Sequence, residues 1–197
     1  MSESKEAELS LVLMGGSSGS FLLFEEILTM VTKPLPCSLI FILHRGKDSQ
    51  SELPNLFRSR TDVRMEEPQH LDLIENNCIY FAVPDYHLLI GPDRRFYLDG
   101  TEKDFFSRPS IDATFISAAQ SGIAIKAAMI FSGASEDGAK GLRKVAEKGF
   151  DTYVQNPESA EVQRMPAAAI REYNRHAILS KSGVFEEIRS VLYSYST

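Results

Sequence analysis

The chain has 197 residues, 43% of them apolar and 24% charged, with 21 Lys plus Arg against 27 Asp plus Glu for a formal charge of −6. That apolar content excludes general disorder, and the acidic balance argues against a nucleic-acid binder, which needs a basic face. No apolar run approaches the roughly 18 residues that span a bilayer, so direct membrane insertion is excluded as well.

One domain is expected over residues 9–197, behind a polar lead-in at 1–8 that lacks the pattern of a signal peptide. A chain of this size buries roughly 70% of its unfolded surface, enough for a core without metals or disulfides. Cys37 and Cys78 each lie beside or inside an apolar run, which reads as two buried thiols in a reduced, cytoplasmic setting. No Cys/His cluster has zinc spacing, and neither a metal nor a cofactor is expected.

In chain order, Leu11 to Met14 form an apolar run that Gly15 and Gly16 are expected to stop. Phe21, Phe24, Leu28 and Val31 then recur at helical spacing until Pro34 and Pro36. The unbroken run 38–43 predicts a strand buried on both faces. A short helix is expected within 51–60. The runs 78–83, 87–90 and 96–98 lie too close together for crossover helices and predict antiparallel hairpins. Ser110 is placed as the N-cap of a helix to about 121, with Asp112 in its first turn. Strands at 127–131, 152–155 and 177–179 alternate with helices at 136–148, 165–173 and 184–192, Gly149 stopping the first of these. The order predicts an α/β fold: a mostly parallel, doubly wound sheet, helices on both faces, and an antiparallel hairpin region near one edge.

Ligands of open α/β sheets bind along the rim formed by the carboxyl ends of the strands. Ser17 in a Gly/Ser-rich turn, His44, and Asp137 each follow a different predicted strand. Hydroxyl, imidazole and carboxylate are the groups that acyl transfer requires. Each also has a plainer reading: a phosphate-binding or capping turn, a structural histidine, and an N-cap of the helix that follows. The turn matches neither the dinucleotide motif nor the P-loop, since Gly19 is followed by Ser20 and Phe21 rather than Lys. Nor is it the G-x-S-x-G elbow.

Across residues 9 to 193 the sequence resembles the catalytic domain of the chemotaxis receptor methylesterases, the CheB family. Gly15-Gly16-Ser17-Ser18-Gly19-Ser20 is similar to that family's G-A-S-T-G-G, and Leu43-His44-Arg45 to its Q-H-M. Residues 80–87 resemble Y-I-A-P-G-D-x-H, and Ser107-Arg108-Pro109-Ser110-Ile111-Asp112 resembles H-R-P-S-V-D. Residues 132–138 resemble T-G-M-G-x-D-G, while Gln155-Asn156 and Met165-Pro166 resemble A-Q-N…G-M-P.

The resemblance implies Ser17 as nucleophile, His44 as base and Asp137 as the orienting acid. The reaction implied is hydrolysis of glutamate methyl esters, or deamidation of glutamines, on the cytoplasmic helical region of a methyl-accepting chemotaxis receptor. Backbone N–H groups at Ser18, Gly133 and Ala134 are the expected oxyanion donors, with Met165 bordering the pocket. Departures from the pattern are Ala134-Ser135 for Met-Gly, Ser20 for Gly, Ser107 for His, and Arg45 beside His44. A rival reading is a catalytically weakened relative that serves as a receptor- or partner-binding module. A nucleotide-binding domain is a third, weakened by the missing lysine. His70, His87 and His176 read as structural, and Glu158 and Glu161 as surface charge. Members of the family commonly carry a receiver domain, for which this length leaves no room. The expectation is a standalone domain, open constitutively or controlled by a separate regulatory chain.

Overall fold

The computed structural model describes residues 8–44, 53–102 and 107–193. Strands β1 (Ser10–Gly16) and β2 (Ser38–Leu43) are buried at every position, as runs covered on both faces must be. Around them stand β3 (Arg64–Glu66), β4 (Cys78–Phe81), β7 (Ala124–Ile130), β8 (Thr152–Gln155) and β9 (Ala177–Leu179), in the order β3-β4-β2-β1-β7-β8-β9. Every neighbouring pair is parallel.

The helices are α1 (Phe21–Leu28), α2 (Leu53–Phe57), α3 (Ile111–Gln120), α4 (Ala139–Glu147), α5 (Arg164–Glu172) and α6 (Lys181–Tyr193). Alternate strand residues feed two separate cores. Leu11, Leu13, Ile40, Ile42 and Ile130 meet Ile111, Phe115, Leu142 and Met165 from α3, α4 and α5. Val12, Met14, Phe41, Phe81 and Met129 meet Phe24 of α1, Phe57 of α2 and Ile188 of α6. The sheet is thus covered on both faces, as expected.

Several boundaries differ from expectation. Gly15 and Gly16 complete β1 rather than stopping it, because α3 packs directly on the strand: a Cβ at Gly15 would lie 2.5 Å from Ile111 Cγ2. Residues 78–81 are no hairpin arm but an interior parallel strand between β2 and β3. The antiparallel pair is only β5 (His87–Ile90) with β6 (Phe96–Asp99), a separate two-stranded sheet. It packs by Leu88, Ile90 and Phe96 into the core under α3, because the three-residue β3 already holds the edge of the main sheet. α4 begins three residues later than expected, leaving 131–138 as a loop. Gly149, at φ +86°, ends that helix region as expected. No helix among the described residues is long and apolar enough to cross a membrane.

Strand order reverses at β1: the chain moves outward through β2 in one direction and through β7, β8 and β9 in the other. The crevice at the carboxyl ends of β1 and β7 is therefore the switch point where an open α/β sheet places its ligands.

Candidate active site

Ser17 leaves β1 into a tight turn closed by the Ser20 N–H donating to Ser17 O at 3.0 Å. Gly19 occupies its third position at φ +80°, a left-handed conformation that side chains resist. The turn is pinned to the neighbouring strand end, where Ser17 N–H donates to Ser132 O at 2.9 Å. On the other side, His44 N–H donates to Gly16 O at 3.2 Å. This carries the Gly16–Leu43 register of the ladder one step further, so Ser17 and His44 leave adjacent strands together.

His44 Nε2 lies 2.7 Å from Asp137 Oδ2, with the imidazole 10% exposed and the carboxylate fully buried. Asp137 accepts three further hydrogen bonds, all from the start of α3. Ser110 Oγ and Asp112 N–H donate to Oδ1 at 3.0 and 2.9 Å, and Ile111 N–H donates to Oδ2 at 2.7 Å. A buried carboxylate at a helix N-terminus is stabilised by those donors and by the helix dipole. Asp137 is not the cap of the helix that follows it: that position is Gly138, at φ +94°. The plainer reading of Asp137 is therefore set aside.

Of the expected oxyanion donors, Ser18 and Ala134 are exposed at the rim. Gly133 is a correction. Its N–H donates to Val162 O at 3.1 Å and its carbonyl accepts from Met165 N–H at 2.9 Å, so that donor is consumed within the loop. Met165 is a second correction. It is buried rather than bordering an opening, and its sulfur would lie 2.7 Å from a Cβ at Gly133. It supports the loop from beneath.

Sequence reasoning missed Ser132 and Gln155 as organisers. Ser132 N–H donates to Gln155 Oε1 at 3.0 Å, its Oγ donates to Ser18 O at 2.7 Å, and Val162 N–H donates to that Oγ at 2.9 Å. Ser20, fully buried, donates its hydroxyl to Ser132 O at 2.5 Å. This accounts for one departure from the family pattern. A Cβ at Gly16 would collide with the Ser20 side chain, so side-chain volume present at position 16 of that pattern has moved to position 20. Ser135, in place of glycine, is absent from the left-handed residues and carries no strain of that kind.

Glu161 is more than surface charge: it lies against the turn that follows Ser17, its Cβ 2.6 Å from where a Cβ of Gly19 would stand. The remaining histidines are structural. His70 Nδ1 accepts from Leu98 N–H, His87 Nε2 faces Glu102 O, and His176 Nδ1 faces Thr152 Oγ1. Arg45 lies outside the described residues. Among the described residues no group of three or more His, Cys, Asp or Glu could hold a metal ion.

An open parallel sheet with a serine and a histidine–carboxylate pair at its switch point has the layout from which hydroxyl-nucleophile hydrolases are built. The sequence matches the CheB methylesterase family over residues 12–188, and the chain belongs to that family. It is 31% identical over 175 residues, 89% of this chain and 91% of the other, to a Leptospira interrogans protein provisionally named protein-glutamate methylesterase/protein-glutamine glutaminase. It is 28% identical over 174 residues to the protein-glutamate methylesterase FrzG of Myxococcus xanthus, covering 88% of this chain and 52% of that one. The fold is similar to the Thermotoga maritima CheB methylesterase catalytic domain, with a TM-score of 0.83 at 24% identity over 90% of this chain and 96% of that one.

Proposed function

We propose that this chain hydrolyses glutamate methyl esters on the cytoplasmic helical region of a chemotaxis receptor, and deamidates glutamines by the same route, through Ser17, His44 and Asp137. The observation that carries the reading is the 2.7 Å contact between His44 Nε2 and the buried Asp137 Oδ2, one ladder step from Ser17. Relatives named for methylesterase and glutaminase activity support the substrate class.

With Nε2 donating to Asp137, Nδ1 carries the lone pair and is the atom that takes the Ser17 proton. Ser17 Oγ forms a bond to the ester carbonyl, and the carbonyl oxygen becomes the oxyanion. Backbone N–H groups of Ser18 and Ala134 face that charge. Collapse breaks the bond to methoxide, which leaves as methanol with the proton held on His44. Water, deprotonated by His44, then attacks the acyl-serine; the bond to Ser17 Oγ breaks, that oxygen takes the proton back from His44, and glutamate is released. For glutamine the leaving group is ammonia.

The test is methanol release from methylated receptor membranes. Ser17→Ala is expected to lower it by about three orders of magnitude or more with an unchanged circular dichroism spectrum. Undiminished release by that variant overturns the reading.

A further inference from the structure

Asp112 is a buried carboxylate that the proposed chemistry does not use. It lies in the first turn of α3, and its Oδ1 accepts from Gly141 N–H of α4 at 2.6 Å. α4 has no cap of its own: its N-cap is a glycine without a side chain, and its first turn carries no acidic residue. Meanwhile Asp137, in the loop that leads into α4, accepts the N–H groups of Ile111 and Asp112 at the start of α3. The start of α4 is thus bonded by a carboxylate from α3, and the start of α3, beyond its own Ser110 cap, by a carboxylate from the loop that leads into α4. The exchange requires close approach, and Gly141 permits it: a Cβ there would lie 2.7 Å from Phe115 Cβ and 3.0 Å from Asp112 Cα.

We propose that Asp112 is a positioning residue for the His44–Asp137 pair, acting by locking the start of α4, and with it the loop that carries Asp137, onto the start of α3. This rests on the catalytic reading above for its consequence, though not for its geometry. Asp137 is joined to α4 through Gly138 alone, in a left-handed conformation. When the α4 N-terminus loses Asp112, the first turn of that helix is left with unsatisfied N–H groups and is free to shift. A shift there moves Asp137 relative to His44, and small misplacements in such pairs have large effects on rate. Burial and then the charge of Asp137 push the Asp112 carboxyl up to about 6, against the N–H groups of Gly141 and Gly138 and the charge of Lys140, which pull it down. The group therefore stays in a position unfavourable to its own ionisation, held there by the helix whose start it bonds.

The experiment compares the whole chain with Asp112→Ala and Asp112→Asn by two measurements. One is the downfield proton resonance of His44 Nε2–H, assigned by its loss in His44→Gln. The other is the rate at which a fluorophosphonate labels Ser17. Asp112→Ala is expected to move or abolish the resonance and slow labelling about tenfold or more while unfolding remains cooperative. Asp112→Asn, whose amide oxygen still accepts an N–H, is expected to recover most of both. A wild-type resonance and rate in Asp112→Ala overturns the proposal, as does a folded Asp112→Asn as impaired as the alanine variant. Should Asp112→Ala not fold, Asp112→Ser, which lacks the carboxylate that accepts from Gly141 N–H, replaces it under the same criteria. If Ser17 of the wild type is not labelled at all, the catalytic reading fails, and the resonance alone still decides whether Asp112 sets the pair.

Discussion

Asp137 meets four donors with two oxygens and no exposed surface, so its replacement by a neutral amide is informative. Asp137→Asn keeps the volume but turns an N–H₂ group toward groups that also donate, and it no longer selects the Nε2–H tautomer of His44. Methanol release is expected to fall by about 10⁴-fold in kcat with KM little changed; a loss confined to KM contradicts the orienting role. Two buried titratable groups give opposite pH dependences. Asp112 is raised from 3.8 to about 6, so its contribution to folding is fully present below about pH 4 and is lost as pH rises through 6. The stability of wild type relative to Asp112→Asn should therefore decline between pH 4 and 7. His176 is lowered from 6.5 to about 4 by burial, and its contribution is present above 6.5 and lost as pH falls toward 4. Wild type relative to His176→Gln should decline in the other direction, and urea titrations at a series of pH values separate the two. The Gly16–Ser20 exchange makes a third prediction. Gly16→Ala should destabilise by about 1–3 kcal/mol through overpacking, and Ser20→Gly by about 1 kcal/mol through loss of the bond to Ser132 O. The double variant should be more stable than their sum by about 1 kcal/mol or more, whereas simple additivity rules out a shared space.

Elements whose patterns are local were legible. The runs at β1, β2, β8 and β9, the Ser110 cap, which accepts from Ala113 N–H at 3.2 Å, and the Gly149 stop all follow from nearest-neighbour chemistry. β3 was not, because Arg64, Met65 and Glu66 have neither an apolar run nor a clear alternation; the segment is a strand only because β4 offers it an edge. β4 was read as a strand but given the wrong partner: Cys78-Ile79-Tyr80-Phe81 is close in sequence to β5, while its actual partner β2 lies some forty residues upstream. The face under α1 and α2 illustrates what pairing decides. Phe41 lies between the tilted ring of Phe24, 4.8 Å away, and the stacked ring of Phe81, 5.3 Å away, on three different elements. Phe41→Ala should cost about 3–5 kcal/mol by chemical denaturation, more than truncation of the half-buried Leu23 beside the same core.

On the scale of the molecule, β1 is the strand against which both halves assemble, flanked by β2 and by β7. The site does not exist until β7 has joined β1, which closes a loop of more than a hundred residues. Native-state hydrogen exchange should accordingly find the slowest amides in β1, β2 and β7 and much faster exchange in the edge strands β3 and β9; equal protection across the sheet contradicts a centre organised by β1. Ser17, His44 and Asp137 could be picked out as candidates because each follows an apolar run, whose burial is written in its own residues, but the roles given to them came from the family resemblance and not from that pattern. The plainer alternative for Asp137 could not be dismissed in that way, nor could the consumed N–H of Gly133, the support role of Met165, or the crossed hydrogen bonds of Asp112 and Asp137 be read there. Those depend on partners 25 to 93 residues away. Hydrogen bonds over such separations are chosen by the packing of one element on another, not by the chain on either side of them.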